Sequence, residues 1–144
     1  METLGRHILV ECSGCNPAVL NDIDAVQEIL TEAALAAKAE FRERAFHRFT
    51  PLGVSGVIVI SESHLSVHTW PEYGYAALDI YTCGSQTMPW TACKLVAAKF
   101  EASLVKAMEV KRGMCDEEGH FSHQVVPIQE EEGQSVGAEL TMAL

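Results

Sequence analysis

Several side chains capable of acid–base or nucleophilic chemistry fall within one stretch of the sequence, between residues 62 and 83. Ser63 follows Glu62 in a polar turn, His68 lies on the run after the turn, and Cys83 ends the next run. An imidazole titrates near neutral pH, and hydroxyl and thiol groups act as nucleophiles or exchange protons. These residue types indicate chemistry near the Glu62–Ser63 peptide bond, provided that the fold brings them together.

A β-hairpin is the element predicted to position these groups. An apolar run, Val54–Ile60, leads into the polar turn, after which apolar and polar residues alternate with the period of a strand. Pro71–Gly74 is typical of a four-residue hairpin loop, and Tyr75–Cys83 is the returning strand. The resulting register has four cross-strand pairs: Trp70 with Tyr75, His68 with Ala77, Ser66 with Asp79, and His64 with Tyr81.

This register divides the hairpin into an apolar face and a polar face. The apolar side chains are Leu65, Val67, Ala76, Leu78 and Ile80. The polar face carries His64, Ser66, His68, Trp70, Tyr75, Asp79, Tyr81 and Cys83. A slip of one residue would bury the histidines in the core, so the pattern favours this pairing. It places Cys83 across from the Glu62–Ser63 bond, and we expect a hydroxyl, an imidazole and a thiol on one face near that bond.

The remaining elements predict an α+β fold. Strands are expected over Arg6–Cys12, Phe41–Phe49 and Val105–Arg112, and helices over Asn16 to about Lys38 and from Met88-Pro89-Trp90 onward. We therefore predict a two-layer sandwich, with a mostly antiparallel sheet and two helices covering its apolar face. The polar face would then be uncovered in one subunit. A face of this composition would most naturally meet a second copy, giving a homodimer with the active site near its interface.

The composition of the chain limits the classes of protein to which it can belong. The chain has 144 residues, of which 48% are hydrophobic, enough for one domain with a sizeable core. A formal charge of −10 argues against a nucleic-acid partner. The sequence has neither a signal-peptide pattern nor an apolar run long enough to span a membrane, so a cytoplasmic location is expected. In that compartment the five cysteines are predicted to be thiols.

The charge is concentrated at the C-terminal end. No Lys or Arg follows Arg112, whereas acidic side chains recur there: Asp116, Glu117, Glu118, Glu130, Glu131, Glu132 and Glu139. We expect a single domain over residues 1–112, followed by an acidic tail, 113–144, that is partly disordered over about its last 20 residues.

Three segments, Ser61–Leu65, His68–Glu72 and Tyr81–Gly84, resemble the prokaryotic S-adenosylmethionine decarboxylases. Those enzymes are made as proenzymes that cut themselves to generate a pyruvoyl group. The likeness extends to Gly5–His7, Phe46–Phe49 and Gly53–Gly56, and covers roughly residues 4–112.

The resemblance implies cleavage between Glu62 and Ser63. The Ser63 hydroxyl would attack the preceding carbonyl, and elimination followed by hydrolysis would leave a pyruvoyl group at the new N-terminus. A carbonyl of this kind accepts the electrons released by decarboxylation, the role that pyridoxal phosphate has elsewhere, so neither that cofactor nor a metal is expected.

The resemblance also implies roles for other residues. Ser55 and His68 would assist self-cleavage, and Cys83 would return a proton to the substrate after carbon dioxide leaves. Phe49 and Trp70 match aromatic groups that hold the adenine of S-adenosylmethionine, and Glu72 matches the group that binds the ribose hydroxyls. The product would be the aminopropyl donor for spermidine synthesis.

Three alternatives stay open from the sequence. A pyruvoyl enzyme on the same fold can act on ornithine or arginine, although such a site would not need an adenine clamp. An uncleaved homologue can serve as a non-catalytic binding subunit. The third alternative is a small metal-binding protein. Cys12 and Cys15 have the spacing of a metal-binding pair, but no second pair follows at suitable spacing.

Overall fold

The fold is one mostly antiparallel sheet with helices packed on one face. The computed structural model describes residues 3–127 together with the backbone of residues 135–136 and 139–143. In these residues the strands are β1 (Gly5–Ser13), β2 (Phe41–Arg48), β3 (Val54–Ile60), β4 (Ser63–Trp70), β5 (Tyr75–Cys83), β6 (Leu104–Cys115), β7 (Phe121–Val125), β8 (Ser135–Val136) and β9 (Glu139–Ala143). The helices are α1 (Pro17–Leu20), α2 (Ile23–Ala36) and α3 (Pro89–Lys99).

The strand order places the central hairpin in the middle of the sheet. The order is β2-β3-β4-β5-β1-β6-β9-β8, and β7 pairs with the second half of β6. Every pair of neighbouring strands between β2 and β6 runs antiparallel. The predicted α+β architecture is therefore confirmed.

The core lies between the sheet and the helices, as the alternating pattern predicts. Leu65, Val67, Leu78 and Ile80 of the hairpin are all buried, and Phe100, just after α3, is completely so. Helices α2 and α3 pack against each other over this face. None of the helices in the described part of the chain is long and apolar enough to cross a membrane.

The first helical segment differs from the single helix predicted from residue 16 to about Lys38. Asn16 caps α1, which has only one turn, and Asp22 begins a separate helix because its Oδ1 accepts hydrogen bonds from the backbone N–H of Asp24 and Ala25. Apolar spacing continues across this break, so the spacing alone does not reveal it.

The hairpin register is confirmed at all four predicted pairs. Pro71–Tyr73 forms one 3₁₀ turn, and Gly74 closes the loop with a φ of 60°, a conformation that costs glycine little. The sheet therefore fixes which side chains of β4 and β5 share a face.

The C-terminal part of the chain adds strands to the sheet. Strand β6 continues to Cys115, past its predicted end at Arg112, and pairs there with β7. The first half of β6 pairs with β9. The boundary expected at residue 112 thus falls within a strand. Much of the segment expected to be poorly ordered lies outside the described residues, which do not include 128–134, 137–138 and 144.

Candidate active site

The Glu62–Ser63 bond lies at the end of a two-residue turn between β3 and β4. Ile60 pairs with Ser63 across this turn, leaving only Ser61 and Glu62 to reverse the chain. Glu62 has a φ of 65°, in the left-handed region that costs a residue with a Cβ about 1 kcal/mol or more. This strain could not be predicted from the sequence, because glycine or asparagine is the usual residue at such a position.

Contacts from Glu40 and from Arg42 of β2 hold the turn in place. The Ser61 backbone N–H donates to the carbonyl of Glu40 at 2.8 Å, and the Ser61 hydroxyl donates to the Glu40 carboxylate at 3.1 Å. Arg42 Nε donates to the same hydroxyl at 2.9 Å. The strained conformation of Glu62 is thus fixed by its neighbour rather than by its own side chain.

Cys83 contacts the predicted cleavage point from β5. Its Sγ lies 3.4 Å from the carbonyl oxygen of Glu62, as the register places it. A depression of about 620 Å³ opens beside this contact. It is lined by Arg42, Val59, Ile60, Ser61, Glu62, Cys83 and Gly84. The thiol and the carbonyl of Glu62 therefore share a space that a small molecule can enter.

Ser63 is oriented differently from the prediction. It has the strand parity of Leu65 and Val67, on the helix-covered side of β4, and its Oγ is buried without a hydrogen-bond partner. Cys83 has the parity of Asp79 and lies on the open side. The expectation that hydroxyl and thiol share one face is therefore corrected: strand alternation directs them to opposite sides of the sheet, with the peptide bond between them.

Ser55 and His68 form a hydrogen-bonded pair on the open face. They are directly opposite each other on β3 and β4, and Ser55 Oγ lies 2.7 Å from His68 Nδ1. A depression of about 420 Å³ lies over this pair. Its lining is Ala45, Phe46, His47, Ser55, Gly56, Val57, Ser66 and His68. The pair predicted to act together is therefore already assembled.

The three predicted substrate-binding residues lie toward the same end of the hairpin. Trp70 stacks on Tyr75, with ring centroids 5.1 Å apart and planes at 14°. Phe49 meets His47 edge to face at 4.7 Å and is exposed, as is Glu72 in the 3₁₀ turn. These exposed rings and this carboxylate are available to a ligand.

The predicted site residues thus fall into two clusters within one chain. The turn cluster comprises Glu62, Ser63 and Cys83; the far-end cluster comprises Phe49, Ser55, His68, Trp70 and Glu72. Ser63 and His68 are five positions apart on one strand, which at about 3.3 Å per residue separates their Cα atoms by about 16 Å. His68 therefore cannot reach Ser63 of its own chain.

A further polar cluster on the open face surrounds Asp79. Its Oδ2 accepts from His7 Nε2 at 2.6 Å and from His64 Nε2 at 2.8 Å, and Ser66 donates to Oδ1. Partial burial alone would raise the pKa of Asp79, but these hydrogen bonds outweigh it and hold the pKa well below its ordinary value. The sequence paired Ser66 with Asp79 but did not reveal His7, which β1 brings in from a distant segment.

The two imidazoles and the carboxylate of this cluster are close enough to hold a metal ion, with their ligand atoms within 4.8 Å of one another. Arg112 Nη1, however, lies 3.3 Å from His7 Nδ1. Because a guanidinium only donates, Nδ1 must accept and Nε2 must carry the proton that faces Asp79. We therefore interpret these residues as a hydrogen-bonded cluster.

The Cys12 and Cys15 thiols are both buried. The neighbouring Cys15 thiol and burial raise the pKa of Cys12, while the neighbouring Cys12 thiol lowers the pKa of Cys15. Within the described residues, no third ligand atom completes a metal site around this pair. The pair is therefore part of the core between β1 and the helices.

Comparisons with known proteins identify the family of this chain. The sequence model of a family described as S-adenosylmethionine decarboxylase matches residues 6–113. The chain is similar to the S-adenosylmethionine decarboxylase proenzymes of Syntrophomonas wolfei, at 58% identity over 81% of this chain and 93% of that one, and of Moorella thermoacetica, at 56% over 81% and 93%.

A solved structure has a similar fold. The crystal structure of the adenosylmethionine decarboxylase from Aquifex aeolicus matches with a TM-score of 0.76 and 29% identity, over 83% of this chain and 99% of that one. The family match spans both the turn cluster and the far-end cluster. The chain therefore belongs to the S-adenosylmethionine decarboxylase family.

Proposed function

We propose that this protein cleaves itself between Glu62 and Ser63 and then decarboxylates S-adenosylmethionine. The observation that carries the proposal is the contact of Cys83 Sγ with the carbonyl oxygen of Glu62, at the strained residue that precedes a serine whose hydroxyl is buried. The residues fit a pyruvoyl group derived from Ser63, since the hydroxyl, the strained carbonyl and the thiol meet at one peptide bond. Such a group supplies a carbonyl that accepts the electrons released by decarboxylation.

Self-cleavage begins at the Ser63 hydroxyl. Its Oγ bonds to the carbonyl carbon of Glu62, the C–N bond breaks, and the hydroxyl proton passes to the Ser63 nitrogen, leaving an ester. A base then removes the Ser63 Cα proton while the Cβ–Oγ bond breaks, so that Oγ departs in the Glu62 carboxylate. Hydrolysis consumes one water and releases ammonia, which leaves the carbonyl on the former serine.

His68 is the base proposed for the elimination step. Its hydrogen bond to Ser55 fixes the orientation of the imidazole, which is otherwise exposed on the open face. A free imidazole has a pKa near neutral, which suits removal of a carbon-bound proton. Ser55 thus orients the base, and it is also available to hydrogen-bond the intermediate formed by serine attack.

The site is proposed to be shared between two copies of the chain. His68 lies about 16 Å from Ser63 of its own chain. If the open faces of two copies pack together about a two-fold axis, the turn cluster of each copy can meet the far-end cluster of the other. Two equivalent sites would result, which supports the homodimer expected from the uncovered polar face.

Cys83 is the proposed proton donor to the substrate. Because its thiol contacts the carbonyl before cleavage, it lies beside the new N-terminus afterwards, within the depression next to the turn. A donor at that position can return a proton to the α-carbon once carbon dioxide has left.

Substrate choice is assigned to the far-end cluster. Trp70 and Phe49 offer exposed rings on which adenine can stack, an interaction of about 1–3 kcal/mol per base, and the Glu72 carboxylate can accept from ribose hydroxyls. Ornithine and arginine have neither group. The decarboxylated product would be the aminopropyl donor for spermidine synthesis.

A substrate comparison tests this assignment. Processed protein is incubated separately with carboxyl-labelled S-adenosylmethionine, ornithine and arginine, and the released carbon dioxide is counted. Release from S-adenosylmethionine alone is expected, and Trp70→Ala should raise KM for it more than it lowers kcat. Release from an amino acid in preference to S-adenosylmethionine would contradict the proposal, and release from none of the three would favour a non-catalytic subunit.

A further inference from the structure

Two buried hydroxyls without partners lie beside the proposed cleavage point. In the described part of the chain, the buried side-chain oxygens that lack a hydrogen bond are Ser63 Oγ and Thr82 Oγ1. The last pair of the β4–β5 register is His64 with Tyr81, so the next position places Ser63 opposite Thr82. Both residues have the parity of the helix-covered face.

An unpaired hydroxyl at the Thr82 position needs an explanation. Thr82 is only 1% exposed, and a buried hydroxyl without a partner lowers the stability of the fold. Arg6 lies opposite Thr82 on β1, but its Nε and Nη2 both donate to the Glu109 carboxylate. Valine would fill the same space without this loss of stability. The uncleaved structure therefore offers no structural reason for a hydroxyl at this position.

Thr69, on the same face of the hairpin, has the contacts that buried threonines usually make. Its Oγ1 donates to the carbonyl of Leu20 at 2.8 Å and accepts from the Val54 backbone N–H at 2.9 Å. The two threonines thus differ in one respect: the hydroxyl of Thr69 stabilises the fold, whereas that of Thr82 is unused in the uncleaved chain.

We propose that Thr82 donates a hydrogen bond to Ser63 Oγ during self-cleavage. Directly opposite residues on one face of an antiparallel pair have Cβ atoms about 4.5–5.5 Å apart, so rotation about χ1 can bring the two hydroxyls together. A hydroxyl can donate and accept at once, which leaves the Ser63 proton free to move. This inference rests on the proposed self-cleavage and adds a participant to it.

A donor at this position serves the elimination step. Ser63 Oγ gains negative charge when the Cβ–Oγ bond breaks and the oxygen leaves in the carboxylate of Glu62. Hydrogen bonds to charged oxygens are stronger than those to neutral ones, so the donor stabilises this transition state more than the ground state. Thr82 acts from the helix-covered side of the sheet, opposite the side on which Cys83 contacts the carbonyl.

The test compares cleavage rate with precursor stability. The wild-type chain, Thr82→Val and Thr82→Ser are made by cell-free synthesis, and the appearance of cleaved chain is followed on denaturing gels. Thr82→Val should slow cleavage by about tenfold, and Thr82→Ser should stay within about twofold of wild type. Unfolding by urea is measured in the Ser63→Ala background, where Thr82→Val should not lower the midpoint but the matched control Thr69→Val should.

The outcomes are distinct. Slower cleavage of Thr82→Val with an unchanged precursor midpoint supports the donor role. Cleavage of Thr82→Val at the wild-type rate would overturn it, and so would slower cleavage accompanied by a lowered midpoint, which a structural role predicts. A wild-type chain that does not cleave would overturn the proposed function itself, a result that the Thr82 variants alone cannot produce.

Discussion

Cys83 Sγ lies 3.4 Å from the carbonyl oxygen of Glu62, so a thiol on β5 contacts the residue that precedes the proposed cleavage point on β4. The contact exists because the hairpin register sets the end of β5 beside the two-residue turn. It places the thiol next to the new N-terminus that cleavage would create.

Removing the thiol should separate cleavage from decarboxylation. Cys83→Ala leaves Ser63, Glu62 and His68 in place, so the chain should still cleave, at least in part. Decarboxylation should fall by about 10²–10⁴-fold, the usual contribution of a positioned proton donor. Gel analysis and carbon dioxide release measure the two effects on the same sample. Cys115→Ala, which removes an exposed thiol far along the chain, is the control, and full turnover by Cys83→Ala would remove Cys83 from the mechanism.

Relieving the strain at Glu62 should stabilise the precursor and slow its cleavage. Glycine adopts a φ of 65° at little cost, so Glu62→Gly in the Ser63→Ala background should raise the free energy of unfolding by about 1 kcal/mol. With Ser63 present, cleavage should slow several-fold, because breaking the bond no longer releases that strain.

Ser61→Gly is the matched control for this variant. It changes the other residue of the same turn and removes the hydrogen bonds to Glu40 and Arg42, so the precursor should become less stable. If Glu62→Gly lowers stability, or cleaves as fast as the wild-type chain, the strain has no part in the reaction.

A shared site predicts rescue between two inactive chains. Ser63→Ala lacks the nucleophile and His68→Ala lacks the base, so neither alone should yield a pyruvoyl chain. In a mixed dimer, His68 of the Ser63→Ala copy can serve Ser63 of the other copy. Co-expression with distinguishable tags, purification through both tags and mass analysis should reveal processing of the His68→Ala chain alone. A purified mixed dimer in which that chain stays unprocessed would argue against sharing.

Asp79 should make stability depend on pH in the acid range. Its folded-state pKa is depressed, so its contribution is present above the unfolded-state pKa, about 3.9, and is lost as pH falls below that value toward the folded-state pKa. Urea unfolding of the Ser63→Ala precursor at a series of pH values measures this. Asp79→Asn should flatten the acid limb and lower stability at pH 7, since the hydrogen bonds from His7 and His64 then meet a neutral oxygen. An unchanged acid limb would contradict the assignment.

The parts of this structure that sequence could predict are those fixed by local alternation. Leu65, Val67, Leu78 and Ile80 define one face, and a slip would bury histidines, so the hairpin register was specified. The break before α2 was not, because a cap at Asp22 interrupts the backbone without interrupting the apolar spacing. Strand alternation from Leu65 and Val67 also places Ser63 on the helix-covered side of β4. The expectation that its hydroxyl shares a face with the Cys83 thiol did not take this alternation into account.

Other features depend on contacts between distant segments. His7 reaches Asp79 only because β1 inserts between β5 and β6, an arrangement that no short-range pattern reveals. The positive φ of Glu62 depends on the two-residue turn and on the hydrogen bonds that hold this turn beside the start of β2. The roles assigned to Ser55, Phe49 and Glu72 come from family resemblance and stay predictions, since proximity alone does not distinguish a ligand contact from an ordinary surface residue.

The intact mass of the purified protein under denaturing conditions shows whether the chain cleaves itself. We expect two chains, residues 1–62 and 63–144, with the second lighter by one ammonia than simple hydrolysis would leave it and blocked to N-terminal sequencing. A single uncut chain, under conditions in which the fold is intact, would contradict self-cleavage. Two chains with a free serine N-terminus would contradict formation of the pyruvoyl group.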